Sequence, residues 1–181
     1  ATPDGYTFLF GTNSPLAVVP NMRKDPPYDV MADFTPITFL GDNTFFIVVH
    51  PSVPVKTINE LISYAKANPK TLNFAAGNTY AMVSMAMFGV NNGLDLLPVP
   101  YKGGGQALID LIAGHVSMYF SSLPGALPHV RSQRLRALAV TTLARSSAMP
   151  ETPALAESGF PGFDAATWIG AAAPAGLARP I

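Results

Sequence analysis

The feature that most constrains the fold of this chain is a regular alternation of short apolar segments with helical patterns, which begins at residue 57. The apolar segments, four to seven residues long, are 72–75, 96–99, 116–120 and 135–141. Helices that connect such segments join parallel strands through right-handed crossovers. The pattern therefore predicts an α/β fold with a parallel sheet covered by helices on both faces.

Local signals predict where helices of this region begin and end. Thr57 and Glu60 form a capping-box pattern that opens a helix running to about residue 67. Gly114 follows another apolar helical pattern and is placed to end it. Thr152 followed by Pro153 predicts a further short helix, because proline is favoured in the first helical turn.

The N-terminal part of the chain does not show this alternation of strands and helices. Residues 6–10, 38–40 and 45–50 are rich in β-formers and predict strands. Residues 21–36 contain three prolines and few periodic apolar positions, so they predict an extended connection. A turn signal at 41–43 separates two predicted strands, and it suits a crossing between two domains.

Composition excludes several partners. Charged residues make up 12% of the 181 residues and the formal net charge is zero, so the dense basic face that nucleic acid requires is not expected. The apolar runs are much shorter than the roughly 20 residues that span a bilayer. The chain contains no cysteine, which excludes disulfides and thiolate metal sites. We predict neither nucleic-acid binding nor embedding in a membrane.

The loops that follow the predicted strands are the first place to seek a ligand, because ligands bind at the carboxyl ends of strands in open α/β sheets. These loops are 11–14, 76–79, 101–105 and 121–125, and they are rich in Gly, Ser, Thr and Asn. Backbone N–H groups at helix N-termini bind anions without an arginine, so the loops suit a carboxylate. The alternative is that these residues only cap helices and form turns.

Patterns that indicate enzymes are incomplete. The lysine in 101–105 precedes the glycines, whereas a phosphate-binding loop has G-x-x-x-x-G-K-[ST]. Ser121 and Ser122 follow a predicted strand, yet the G-x-S-x-G pattern of serine hydrolases is absent. The histidines do not show metal-ligand spacing. The sequence thus predicts no catalytic residue, no cofactor and no metal.

Short motifs occur in order along nearly the whole chain. Examples are PDGYT at 3–7, DFTP at 33–36, HPSVP at 50–54, VPYKG at 99–103 and LRALAVT at 135–141. Together they resemble the Bug family, the TctC-type receptors of tripartite tricarboxylate transporters. The resemblance implies a periplasmic receptor with a type II periplasmic-binding-protein-like fold, which captures a small carboxylate for the membrane components of the transporter and is not an enzyme.

The resemblance also implies domain bounds. Residues 1–43 correspond to part of domain one, 44–167 to a complete domain two, and 168–181 to the return crossing to domain one. Because family members are longer, the chain resembles a fragment of such a receptor.

Ligands of the family are held mainly by backbone N–H groups, hydroxyls and waters. The resemblance assigns ligand contacts to Thr12, Asn13, Ala76, Gly77, Asn78, Thr79, Tyr80, Lys102, Ser121 and Ser122. Ser121 departs from the family's Asp-Ser-Leu-Pro segment, which leaves the identity of the carboxylate open. Two alternative functions are a ligand-sensing module for a signalling partner such as a kinase, and an enzyme of the α/β class.

Overall fold

The computed structural model describes residues 1–177, and the chain divides into two units. The smaller unit contains Ala1–Asn43 and the described residues from Thr167 onward, and the larger unit is Thr44–Ala166. Residues 178–181 of the expected return crossing lie outside the described residues.

Eight strands and six α-helices are assigned within residues 1–177. The strands are β1 (Leu9–Thr12), β2 (Phe34–Asn43), β3 (Phe45–Val49), β4 (Asn73–Ala76), β5 (Leu97–Pro100), β6 (Met118–Ser122), β7 (Arg136–Val140) and β8 (Thr167–Pro174). The helices are α1 (Val19–Met22), α2 (Val30–Asp33), α3 (Ile58–Ala67), α4 (Thr79–Asn92), α5 (Gly104–Ile112) and α6 (Leu123–Arg131). Ser14–Val18 forms a π-helical turn and Leu155–Ser158 a 3₁₀ turn.

The smaller unit is built on a sheet of order β1-β8-β2, in which β8 is antiparallel to both neighbours. Two expectations for this region were wrong in detail. The residues after β1 continue from the π-helical turn into α1 instead of forming a loop. The connection expected to be extended over 21–36 contains α2, because the Asp29 side chain accepts hydrogen bonds from the N–H groups of Met31 and Ala32 and so caps that turn.

The larger unit contains a five-stranded sheet of order β5-β4-β6-β3-β7. β4 pairs in parallel with β5 and β6, which confirms the predicted α/β class. β3, however, runs antiparallel to β6 and β7, so the sheet is mixed. All five residues of β3 are buried and apolar, and such a run carries no signal for strand direction.

Helices cover both faces of this sheet, as predicted. One core contains Ile47, Phe74 and Phe120 and includes buried residues of α3 and α4. The other contains Phe46 and Tyr119 and includes residues of α5 and α6. Successive residues of a strand point to opposite faces, which explains why neighbouring residues belong to different cores.

Helix signals in the larger unit had two outcomes. The capping box is confirmed, because the Thr57 hydroxyl accepts a hydrogen bond from the Glu60 N–H at 3.1 Å. The helix expected to begin at Thr152 and Pro153 does not form there, and the segment contains only the 3₁₀ turn Leu155–Ser158. The Pro153 carbonyl instead accepts a hydrogen bond from the Val140 N–H at 2.9 Å, so this segment lies along β7. Over the described residues, no helix combines the length and apolar character needed to cross a membrane.

Candidate functional site

Three helices of the larger unit begin at one edge of the sheet. α4 follows β4, α5 follows β5 and α6 follows β6. Because β4 is parallel to both of its neighbours, the carboxyl ends of these three strands share one edge. The loops predicted to bind a ligand therefore lie beside one another in this unit.

The loop between β4 and α4 is held by short hydrogen bonds. The Asn78 side chain accepts a hydrogen bond from the Ala81 N–H at 2.7 Å and caps α4. The Ala76 carbonyl accepts one from the Tyr101 N–H at 3.0 Å, which joins this loop to the loop after β5. Thr79 is the first residue of α4 and is half-buried.

Gly77 lies against Gly104, the first residue of α5. A Cβ atom at Gly77 would lie 2.5 Å from the Tyr119 hydroxyl oxygen and 2.9 Å from the Gly104 Cα. A Cβ at Gly104 would also lie 2.9 Å from the Tyr119 oxygen. Gly77 does not have a positive φ, so the position requires glycine for space and not for backbone conformation.

The N-termini of α5 and α6 are not capped by side chains. Gly103 is the N-cap of α5 and has no side chain. The Ser122 side chain makes no capping hydrogen bond to α6, but the Leu123 N–H donates to the Thr44 carbonyl at 2.9 Å and Pro124 has no N–H. First-turn N–H groups that no side chain caps, together with the helix dipole, favour an anion. Lys102 is exposed in the loop before α5 and adds a positive charge. The buried Ser121 hydroxyl donates to the Ser122 carbonyl at 3.3 Å.

Tyr80 has a hydrogen-bond partner within the protein. Its hydroxyl donates to the Ala166 carbonyl at 3.1 Å, and its ring centroid lies 6.0 Å from that of Phe45. Burial raises the pKa of Tyr80, so the hydroxyl keeps its proton at neutral pH. Tyr80 thus joins α4 to the residue that precedes β8. Its contact with a ligand stays a prediction.

Replacing Tyr80 with phenylalanine is expected to lower the free energy of unfolding by about 1 kcal/mol, because the Ala166 carbonyl loses a donor. Chemical denaturation followed by circular dichroism measures this change. Tyr6→Phe is the matched control, because Tyr6 is 90% exposed and its variant should unfold like the wild type. Equal stability of the Tyr80 and Tyr6 variants would contradict the assigned role.

Thr12 and Asn13 belong to the smaller unit. Thr12 is the last residue of β1 and pairs with Ile169. The buried Asn13 side chain accepts a hydrogen bond from the Thr167 hydroxyl. Asn13 therefore ties the end of β1 to the start of β8.

Sequence reasoning missed Tyr119 and Gly104 as members of this edge. Gly104 lies in the loop 101–105, where a ligand is expected, but it is not among the predicted contacts. Tyr119 lies inside the predicted strand 116–120. The available signal was a tyrosine between Met118 and Phe120 in a buried strand, because a buried tyrosine usually places its hydroxyl where a polar partner can reach it.

A separate cavity of about 800 Å³ lies in the larger unit beside the start of α3. It is lined partly by Thr57 and Arg136 and by none of the predicted ligand residues. The Arg136 guanidinium donates hydrogen bonds to the Val53 and Val55 carbonyls at 3.3 and 2.6 Å. Its bonds to the backbone give it a structural role. Within residues 1–177, no group of three His, Asp or Glu side chains is close enough to hold a metal ion.

Comparisons with known proteins place this geometry in a family. Residues 1–181 match the family TctC, described as "Tripartite tricarboxylate transporter family receptor". Protein BugT of Bordetella pertussis is 36% identical over 176 residues, which cover 96% of this chain and 54% of BugT. The chain thus spans about half the length of the curated relatives it matches.

Solved structures show the same fold. An R. palustris protein with adipate is 33% identical, with a TM-score of 0.91 over 99% of this chain and 60% of that protein. MatC from Rhodopseudomonas palustris with bound malate is 28% identical, with a TM-score of 0.89 over 98% of this chain and 61% of MatC. Periplasmic binding protein BugD is 30% identical, with a TM-score of 0.93 over 99% of this chain and 60% of BugD. The chain belongs to the TctC family, the receptors of tripartite tricarboxylate transporters.

Proposed function

We propose that this chain is part of a periplasmic receptor that captures a small carboxylate and presents it to the membrane components of a tripartite tricarboxylate transporter. The observation that carries the proposal is the N-terminus of α5, which no side chain caps and which lies beside the loop between β4 and α4. The partial positive charge at this helix terminus attracts a carboxylate. A neutral solute lacks this attraction and therefore binds less favourably there.

The charge of the surrounding residues supports an anionic ligand. Among the ten predicted contact residues, Lys102 is the only charged side chain, and none is acidic. Binding by N–H groups and hydroxyls also suits a receptor that must release its ligand, because hydrogen bonds made in place of those to water contribute only about 1.5–3 kcal/mol each, even to a charged group. Solved structures of two relatives contain adipate and malate, and both compounds are carboxylates. They support a carboxylate as the ligand of this chain.

The residues proposed to contact a ligand in the larger unit are Ala76, Gly77, Asn78, Thr79, Tyr80, Lys102, Ser121 and Ser122. For Thr12 and Asn13, in the smaller unit, contact with a ligand stays a prediction. We assign no catalytic role to any of them.

Calorimetric titration of the intact protein with adipate, malate and benzoate tests the proposal. Saturable binding of at least one acid is expected, and the neutral diamide of adipate should not bind, because it lacks the negative charge that the helix termini favour. Binding of the diamide as tightly as the acid, or no binding of any acid, would contradict the proposal. Co-purification with transporter membrane components, or instead with a sensor kinase, distinguishes a transport role from a sensing role.

A further inference from the structure

The hydroxyl of Tyr119 lies at the edge of the sheet where the ligand loops meet, although the rest of the side chain is in the core. Tyr119 is 3% exposed and packs in the core that contains residues of α5 and α6. Its oxygen is so near Gly77 and Gly104 that neither position has room for a Cβ atom. The side chain therefore extends from the interior of β6 to the start of α5.

This hydroxyl has no hydrogen-bond partner among the described residues, in contrast to the Tyr80 hydroxyl. Within the same part of the chain, no fully buried side-chain nitrogen or oxygen lacks a partner. The Tyr119 oxygen is thus the part of the side chain that solvent, or a ligand, reaches. Burial raises the pKa of Tyr119, so the hydroxyl is protonated at neutral pH and can donate a hydrogen bond.

The start of α5 supplies further donors beside this oxygen. α5 is nine residues long, and its N-cap, Gly103, provides no capping side chain. A Cβ atom at Gly103 or Gly105 would meet nothing within 4 Å, so the space beside these two glycines is open. The Tyr119 oxygen lies beside Gly104, the residue between these two glycines. Backbone N–H groups and a phenol hydroxyl so close together match the acceptor oxygens of a carboxylate.

We propose that the Tyr119 hydroxyl and the N-terminus of α5 together bind one carboxylate group of the ligand. This inference rests on the proposed function and makes it specific, because it names the donors that hold the acid in the larger unit. Tyr119 then selects for ligands that place a carboxylate at this point.

Tyr119→Phe tests this inference, since it removes only the hydroxyl. Affinity for the acid that binds the wild type best, among adipate, malate and benzoate, should fall about tenfold or more, because the lost hydrogen bond is to a charged group. Thermal stability without ligand should not change, because the hydroxyl has no protein partner. Tyr64→Phe is the matched control, since Tyr64 packs on the opposite face of the sheet, and it should leave affinity unchanged.

The outcomes separate this inference from the proposed function. If the wild type binds an acid and Tyr119→Phe binds it equally well, only the role of Tyr119 is overturned. If the wild type binds no acid, the proposed function fails and the inference fails with it.

Carbon-13 labelling of tyrosine Cζ, followed by NMR, tests the inference on the wild-type protein without any variant. The Tyr119 signal should shift when acid is added, and an unmoved signal would overturn the inference.

Discussion

Replacing Gly77 with alanine is expected to lower the free energy of unfolding by about 2–3 kcal/mol and to weaken carboxylate binding. The new Cβ would lie 2.5 Å from the Tyr119 hydroxyl oxygen and 2.9 Å from the Gly104 Cα. One of these neighbours is backbone, so a side-chain rotation cannot relieve both contacts, and overpacking of this kind costs about 1–3 kcal/mol. Urea denaturation and calorimetric titration measure the two effects.

Gly105→Ala is the matched control for the stability part of this prediction. Gly105 lies in the first turn of α5, and a Cβ there would meet nothing within 4 Å. Alanine should leave stability unchanged or raise it by about 0.5–1 kcal/mol, because it favours the helix. Adding Tyr119→Phe to Gly77→Ala should restore part of the stability, since it removes the closer of the two contacts. If the Gly77 variant were as stable as the Gly105 variant, the prediction would be wrong. The loops after β4 and β5 would then move apart without loss of stability.

Replacing Phe120 with alanine is expected to destabilise the larger unit by about 3–5 kcal/mol. Phe120 is fully buried, and its ring is stacked on Phe45 with a centroid distance of 5.2 Å. Removing the ring deletes buried apolar surface and leaves a cavity that the flanking strands of the sheet cannot fill. Domains of this size are stable by about 5–15 kcal/mol, so the loss is a large part of the total. Denaturant unfolding followed by circular dichroism measures it.

Phe10→Ala serves as the control for Phe120. Phe10 is 72% exposed in β1, so its removal should change stability by less than about 0.5 kcal/mol. A Phe120 variant that loses no more than the Phe10 variant would mean that the β6 core is not close-packed.

Elements whose signals are local could be predicted from the sequence. α3 begins after Thr57 as expected, because its capping box involves residues three positions apart. The positive φ of Gly114, +79°, likewise agrees with its expected place at the end of α5. Features that depend on distant partners could not be predicted. β3 runs antiparallel because of its pairing with β6 and β7, and Pro153 lies along β7 because of a hydrogen bond to Val140.

The candidate site shows the same division. The sequence predicted that the glycine-rich loops after the strands bind the ligand. The parallel pairing of β4 with β5 and β6 places these loops at one edge of the sheet. Tyr80, by contrast, donates its hydroxyl to Ala166, a partner 86 residues away in the chain. No local pattern reports such a bond.

By itself, the sequence determined the α/β class and the loops at which an anion is expected, because caps, turns and apolar periodicity are properties of neighbouring residues. The family was predicted separately, from the resemblance of short motifs that occur in order along the chain. Only the tertiary structure decided that β3 is antiparallel and that the Tyr119 hydroxyl lies beside Gly77 and Gly104. Tyr119 and Gly77 are brought together by the pairing of β6 with β4, in which Tyr119 lies opposite Ala75. Strand pairing joins residues that are far apart in the chain, and that is why it is decided by the packing of the whole sheet.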